Sequence, residues 1–225
     1  MKKIINCIKR IFKPVVTKVD SEKIKINDYL DIILYPKQQE IINTINNSKN
    51  SFIVRAPRQS GKSTILQVSA IDNLLNSKVK VGLSGFTYHN EEYNFQKIKD
   101  FLEKKFKHRI IKQHISTIWL DNGSILTTSI NNKDYFDIIY YDEFAFYGQE
   151  NVERYFYGVN AGKQILISTK KEGSCFNTIW CVAKELKSRF IFMEIKFDDV
   201  PWFTLEVERE LIGRLGCKKY EAEYT

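Results

Sequence analysis

No apolar run approaches the roughly 18 consecutive residues that a membrane span requires. The first 19 residues alternate Lys or Arg with Ile, Val and Phe and contain no signal-peptide core or cleavage site. Cysteine and histidine are scarce. Cys7, Cys175, Cys181 and Cys217 show no C-x-x-C spacing, and His89, His108 and His114 do not pair with them as zinc ligands. These absences argue against a membrane protein, a disulfide scaffold and a zinc module, and favour a soluble chain in a reducing, cytosolic setting. There is no internal repeat and no low-complexity linker, so the 225 residues, 43% of them hydrophobic, are read as one domain with one large core.

Positive charge is plentiful. A net charge of +8 points to a polyanionic partner, and for a chain with a nucleotide site that partner is most often nucleic acid. A basic surface that serves solubility is the plainer alternative.

The organising stretch is Ser51–Thr64. An apolar run, Phe52-Ile53-Val54, leads through Arg55 into Ala56-Pro57-Arg58-Gln59-Ser60-Gly61, and Lys62-Ser63-Thr64 then opens a helical pattern. This is the layout of a phosphate-binding loop: a strand delivers the backbone to a tight turn whose N–H groups converge on an anion, and the helix adds the positive end of its dipole. In that layout Lys62 reaches the β- and γ-phosphates of ATP, and the Ser63 hydroxyl ligates a Mg²⁺ that bridges them. Ala56 stands where the first glycine of the motif is usual. Because alanine disfavours positive φ, the loop is expected to follow a slightly different path.

Around this loop the periodicity predicts alternating strands and helices. Residues 2–19 read as a basic arm, and 1–27 as an N-terminal segment ahead of the domain at 28–225. Helices are predicted at about 37–47, 62–76, 90–106, 175–187 and 203–215, and strands at 52–54, 78–84, 137–141, 163–168 and 190–197. Asp121-Asn122-Gly123 between two apolar runs, 115–120 and 124–130, is a hairpin signal. The alternation predicts an α/β fold whose largely parallel central sheet is flanked by helices, with a β-hairpin added.

The strand Ile138-Ile139-Tyr140-Tyr141 ends in Asp142-Glu143, two carboxylates at the edge of an α/β sheet where ligands gather. Asp142 is assigned to the Mg²⁺, and Glu143 to the water that attacks the γ-phosphate. Arg58 is placed to fold over the γ-phosphate as charge develops, or to pair with Glu143 or another acid when nucleotide is absent. Ser168-Thr169 ends another strand, where it can sense the γ-phosphate or simply cap a turn. Gln38, after Tyr35-Pro36-Lys37, can present its amide to an adenine edge, with Tyr35 available for stacking.

At these positions the chain resembles the ATPase domain of the large terminase subunit, the viral motor that packages double-stranded DNA, over nearly all of 28–225. Tyr35-Pro36-Lys37-Gln38 resembles the family's adenine motif, and Arg58-Gln59-Ser60-Gly61-Lys62-Ser63 its variant Walker A. Ile138–Glu143 resembles its Walker B with catalytic glutamate, and Ile165-Leu166-Ile167-Ser168-Thr169 its coupling motif. Lys170 departs from the pattern, following Ser168-Thr169 where the family often has proline. Lys133 lies where many relatives carry a basic residue, often arginine, that acts on a neighbour's nucleotide, a forked contact lysine does not make.

The resemblance implies a RecA-like P-loop NTPase sheet of the ASCE class, with an extra strand between the two Walker strands. It also implies ATP and Mg²⁺ as cofactors, and double-stranded DNA, a portal protein and a small terminase subunit as partners. The implied assembly is a homo-oligomeric ring on the portal in the host-cell cytoplasm, with the isolated chain a monomer. Lys219-Tyr220-Glu221-Ala222-Glu223-Tyr224 resembles the stretch that joins this ATPase to a nuclease, an activity not expected from this chain. Two alternatives stay beside this reading: a helicase-type DNA-dependent ATPase, which needs a second RecA-like domain, and a nucleotide-binding DNA-assembly module active only in a ring.

Overall fold

The computed structural model of the chain describes residues 23–185 and 189–224. The basic arm read at 2–19 and the end of the helix predicted over 175–187 lie outside them. The described strands form one eight-stranded sheet in the order β3-β4-β5-β2-β6-β7-β1-β8.

The centre is parallel and covered on both faces. Strand β1 (Ser51–Arg55) lies between β7 (Asn160–Ser168) and β8 (Phe190–Glu194), and β7 pairs on its other side with β6 (Tyr135–Asp142), all in parallel. On the far side of β6, β2 (Lys80–Gly85) and then β5 (Ile125–Thr127) continue the parallel order. Side chains alternate between two cores, as the two-residue strand period requires. Phe52, Val54, Tyr140, Ile165 and Ile167 enter one core, and Ile53, Ile139, Tyr141 and Leu166 the other. Each such side chain, fully buried, contributes roughly 1.5–3 kcal/mol. This double coverage is why these segments read as unbroken apolar runs in the sequence.

The first core is closed by α1 (Pro36–Asn47), α2 (Lys62–Asn76) and α3 (Tyr88–Phe106). Ile41, Ile42 and Ile45 form the buried side of α1, and Pro36 starts it where a missing N–H is harmless. A polar cluster sits inside: Tyr140 Oη lies 2.8 Å from Ser69 Oγ and accepts from Asn73 Nδ2 at 3.3 Å. Ahead of α1, Ile24 N donates to Asn76 Oδ1 at 2.6 Å and Asn76 Nδ2 returns a bond to Ile24 O at 2.9 Å, so residues just before 28 pack on α2. The second core is closed by α4 (Gln149–Val152), the π-helical turn Glu153–Tyr157 and α5 (Cys175–Glu185).

The Asp121-Asn122-Gly123 turn joins β4 (Thr117–Leu120) to β5 in antiparallel pairing. The sheet continues past this hairpin to a strand the sequence did not announce, β3 (Ile110–His114). Lys112, Gln113 and His114 are exposed there, as is Ile111. An edge strand held by backbone pairing leaves no burial period to read. After β8 the chain forms α6 (Leu205–Leu215) and a further helix, α7 (Cys217–Tyr224), over the stretch likened to an interdomain joint.

Parallel order puts the ends of β1, β6 and β7 at one edge, with Arg55 beside Ser168 and Asp142 beside Ile167. At the same edge Gly85 is packed so closely that a Cβ there would stand 2.5 Å from Glu91 N, in the first turn of α3. Burial in this corner pushes the Glu91 carboxyl up to about 7, while the nearby Gly85 N–H and Thr128 hydroxyl draw it back. The folded chain therefore binds a proton that the unfolded chain releases at an ordinary carboxylate pKa, and Glu91's contribution to stability falls as pH rises from about 4.5 to about 7. Glu91→Gln, which stays neutral, should be more stable than wild type in denaturant melts at about pH 8. The gap should close as the pH is lowered to about 4; a gap constant with pH would contradict this.

Candidate active site

The loop between β1 and α2 takes its left-handed turns at Gln59 (φ 60°) and Gly61 (φ 77°). Ala56 is not among the positive-φ residues. Its N–H donates to Ser168 O at 3.0 Å, extending the β1–β7 ladder. The missing first glycine is thus accommodated by moving the strained position to Gln59.

The loop's carbonyls are drawn outward by donors from three segments. Tyr35 Oη donates to Ser60 O (2.7 Å), Gln38 Nε2 to Gly61 O (3.4 Å) and Trp202 Nε1 to Gln59 O (3.2 Å), while Ser60 Oγ and Lys62 Nζ donate to Pro57 O at 2.8 and 3.1 Å. The backbone N–H groups from Gln59 to Thr64 find no acceptor among the described residues, and Gly61 brings no capping side chain to α2. A row of free N–H groups at a helix N-terminus, with a buried lysine beside it, is an anion cradle.

Two carboxylates face the cradle. Asp142 Oδ2 accepts from Ser63 Oγ (3.1 Å) and from Asn94 Nδ2 (2.7 Å). Asp142 Oδ1 is the buried side-chain polar atom left without a partner among the described residues. Burial foremost, and the neighbouring Glu143 charge, raise the Asp142 carboxyl above its usual range, against the pull of Asn94, Ser63 and Lys62. A buried carboxylate in this condition is costly unless a cation completes it. A hard divalent cation taking oxygen ligands fits: Ser63 Oγ and Asp142 Oδ1 are the donors at hand. No group of three or more His, Cys, Asp or Glu suited to a metal occurs among the described residues, so the remaining ligands would be nucleotide and water oxygens.

Glu143 is left-handed (φ 53°) at the start of the helical turn Phe144–Phe146, a strained conformation of the kind that collects at functional sites. The neighbouring strand holds it. Ser168 Oγ donates to Glu143 Oε2 at 3.3 Å and accepts from Ala145 N at 3.1 Å, and Lys62 Nζ stands 3.5 Å from Glu143 Oε1. Thr169, next along the chain, is 2% exposed.

Arg58 is held by α7. Its backbone N–H donates to Glu223 O at 3.0 Å and its Nε lies 3.4 Å from Glu223 Oε2 in α7, so its acid partner is Glu223 and not Glu143, which Lys62 approaches. Tyr35 and Gln38 bear on the loop backbone, and Tyr35, edge-on to Trp202, is 5% exposed rather than an open stacking surface. Lys133 is exposed in the turn before β6, at the opposite end of that strand from Asp142. A cavity of about 550 Å³ opens over the loop, lined by Arg58, Gln59, Lys62, Glu143, Phe146 and Arg214 among others. Asn94, Trp202, Arg214 and Glu223 were not nominated from sequence, since each lies far from the loop in the chain and matches no motif spacing.

No protein-family model and no curated protein matches the sequence. Solved structures do. The large terminase of a thermophilic bacteriophage superposes with a TM-score of 0.65 at 14% identity, over 86% of this chain and 53% of that one. The Thermus phage P74-26 large terminase ATPase domain gives 0.66 at 16%, over 88% and 94%. The first of these terminases, in complex with ATP-gamma-S, gives 0.63 at 15%, over 85% and 52%. The chain thus spans about half the length of the first protein and nearly all of the P74-26 domain, and its fold is that of the phage large terminase ATPase domains, a RecA-like α/β sheet.

A Cβ on Gly61 would stand 2.3 Å from Gln38 Nε2 and would carry the left-handed strain as well. Gly61→Ala should therefore lower the unfolding free energy by about 1–3 kcal/mol. Gln59→Gly, which relieves strain already present, should leave it unchanged or raised. Denaturant titration of the two variants checks the pair, and equal losses would refute the assignment of strain.

Proposed function

We propose that this chain is the ATPase motor domain of a viral large terminase, hydrolysing ATP to move double-stranded DNA into a procapsid. The observation that carries the reading is the meeting of Ser63, Asp142 and Glu143 at the mouth of a free N–H cradle, with one buried carboxylate oxygen unpartnered. The thermophilic bacteriophage terminase, of the same fold, has been crystallised with ATP-gamma-S and with ADP.

In this reading the N–H groups of residues 59–64 bind the phosphate chain and Lys62 neutralises it. Ser63 and Asp142 would hold Mg²⁺, which when bound neutralises charge on the β- and γ-phosphate oxygens. Glu143, oriented by Ser168, takes the proton of the attacking water. Arg58 leaves Glu223 to stabilise the charge that develops on the γ-phosphate. Ser168 and Thr169 are given the coupling role, which the bond from Ser168 Oγ to Glu143 Oε2 supports. Gln38 and Tyr35 are assigned to the adenine in the same reading, beside their bonds to the loop carbonyls.

The remaining elements of the proposal are a homo-oligomeric ring on the portal, the small terminase subunit and action in the host-cell cytoplasm. No helix among the described residues is long and apolar enough to cross a membrane. The tethering of Arg58 to Glu223 favours a related form of the same reading, in which the isolated chain holds nucleotide and turns over efficiently only in the ring.

Glu143→Gln should retain nucleotide affinity and lose turnover by about 10²–10⁴-fold, in a steady-state phosphate-release assay run beside equilibrium binding. Wild-type turnover in that variant would remove Glu143 from the mechanism. DNA affinity should fall with salt at a log–log slope of about −0.9 per phosphate neutralised, whatever the DNA sequence. Salt-independent binding would contradict a backbone-directed contact.

A further inference from the structure

Asn94 lies on α3, outside every motif, yet it touches the centre of the site. It is 2% exposed. Its Nδ2 donates to Asp142 Oδ2 at 2.7 Å, and its Oδ1 accepts from Gln67 Nε2 at 2.8 Å. The carboxylate only accepts, so the Asn94 NH₂ faces it and Asn94 Oδ1 is left to the Gln67 amide. Gln67 stands one helical turn beyond Ser63, so α2 presents from one face both the hydroxyl that meets Asp142 and the amide that orients Asn94.

We propose that Asn94 is a positioning residue for the divalent cation that accompanies the nucleotide, fixing which oxygen of Asp142 faces the metal. The proposal rests on the ATPase reading above. A carboxylate turns readily about its last torsion, which is broad and twofold. Ser63 and Asn94 together occupy Oδ2 and leave Oδ1 buried and unpartnered among the described residues. Ser63 Oγ is itself a prospective metal ligand, so the donor that serves orientation alone is Asn94. Partners of this kind, which hold a metal ligand in place, typically govern metal affinity by about 10–100-fold.

The test measures Mn²⁺ binding to the protein–ADP complex by electron paramagnetic resonance, alongside affinity for a fluorescent ADP analogue in EDTA and the thermal midpoint. Asn94→Leu should weaken Mn²⁺ binding by about 10–100-fold while metal-free nucleotide affinity stays within about twofold. Gln67→Leu, which frees Asn94 without touching Asp142, should weaken Mn²⁺ binding less, and the double variant should be no worse than Asn94→Leu alone. If Asn94→Leu does not fold, Gln67→Leu decides. Unchanged Mn²⁺ affinity in a folded variant overturns the proposal, as does an equal loss with and without metal, which would make Asn94 a support of the loop. A wild-type chain that binds no ADP at all overturns the ATPase reading and this inference with it, whereas wild-type ADP and Mn²⁺ binding with no response to either substitution overturns only the inference.

Discussion

The hydrogen bond from Ser63 Oγ to Asp142 Oδ2 joins residues 79 apart in the chain, and most of the site's geometry depends on it. One partner opens the helix after β1 and the other ends β6, yet these strands are not neighbours. β7 lies between them, and the bond forms because three parallel strand ends share one edge. The acid held by this bond is only partly satisfied among the described residues. Its carboxylate is buried, raised in pKa and left with one unpartnered oxygen, an unfavourable charge environment that the proposed cation and phosphates would relieve.

The same economy governs the loop. A turn that presents N–H groups inward must turn carbonyls outward, and buried carbonyls need donors. Tyr35, Gln38 and Trp202 provide them from segments before α1, within it and after β8. The residues that read as adenine contacts thus also support the shape of the cradle. This accounts for a loop with alanine in place of the usual glycine: outside donors and a left-handed Gln59 hold a path that a second glycine would otherwise allow.

Strain and charge are concentrated at this edge. Both non-glycine residues with positive φ among those described, Gln59 and Glu143, stand there, one on the loop and one on the opposing carboxylate. Lys62 links the loop to this carboxylate by bonding Pro57 O and approaching Glu143. Arg58 is the loop cation held away, by Glu223 of α7, so the C-terminal helix has a direct electrostatic hold on the face of the loop.

What could be read from sequence was what is local. The phosphate loop, the apolar strands, the Asp121-Asn122-Gly123 turn and the strand-end acids each lie within a short window whose spacing reflects backbone geometry, so they are visible without a partner. β3 was hidden because an edge strand has no burial period. Asn94, Gln67 and Trp202 fall outside every motif, and Glu223 entered only within the stretch that resembles a joint to a nuclease. The sequence by itself determined which groups are available for phosphate and metal chemistry. Only the tertiary structure decided which oxygen of Asp142 is left free, where Arg58 rests and what holds the loop open, because these depend on bonds between segments that only strand order brings together.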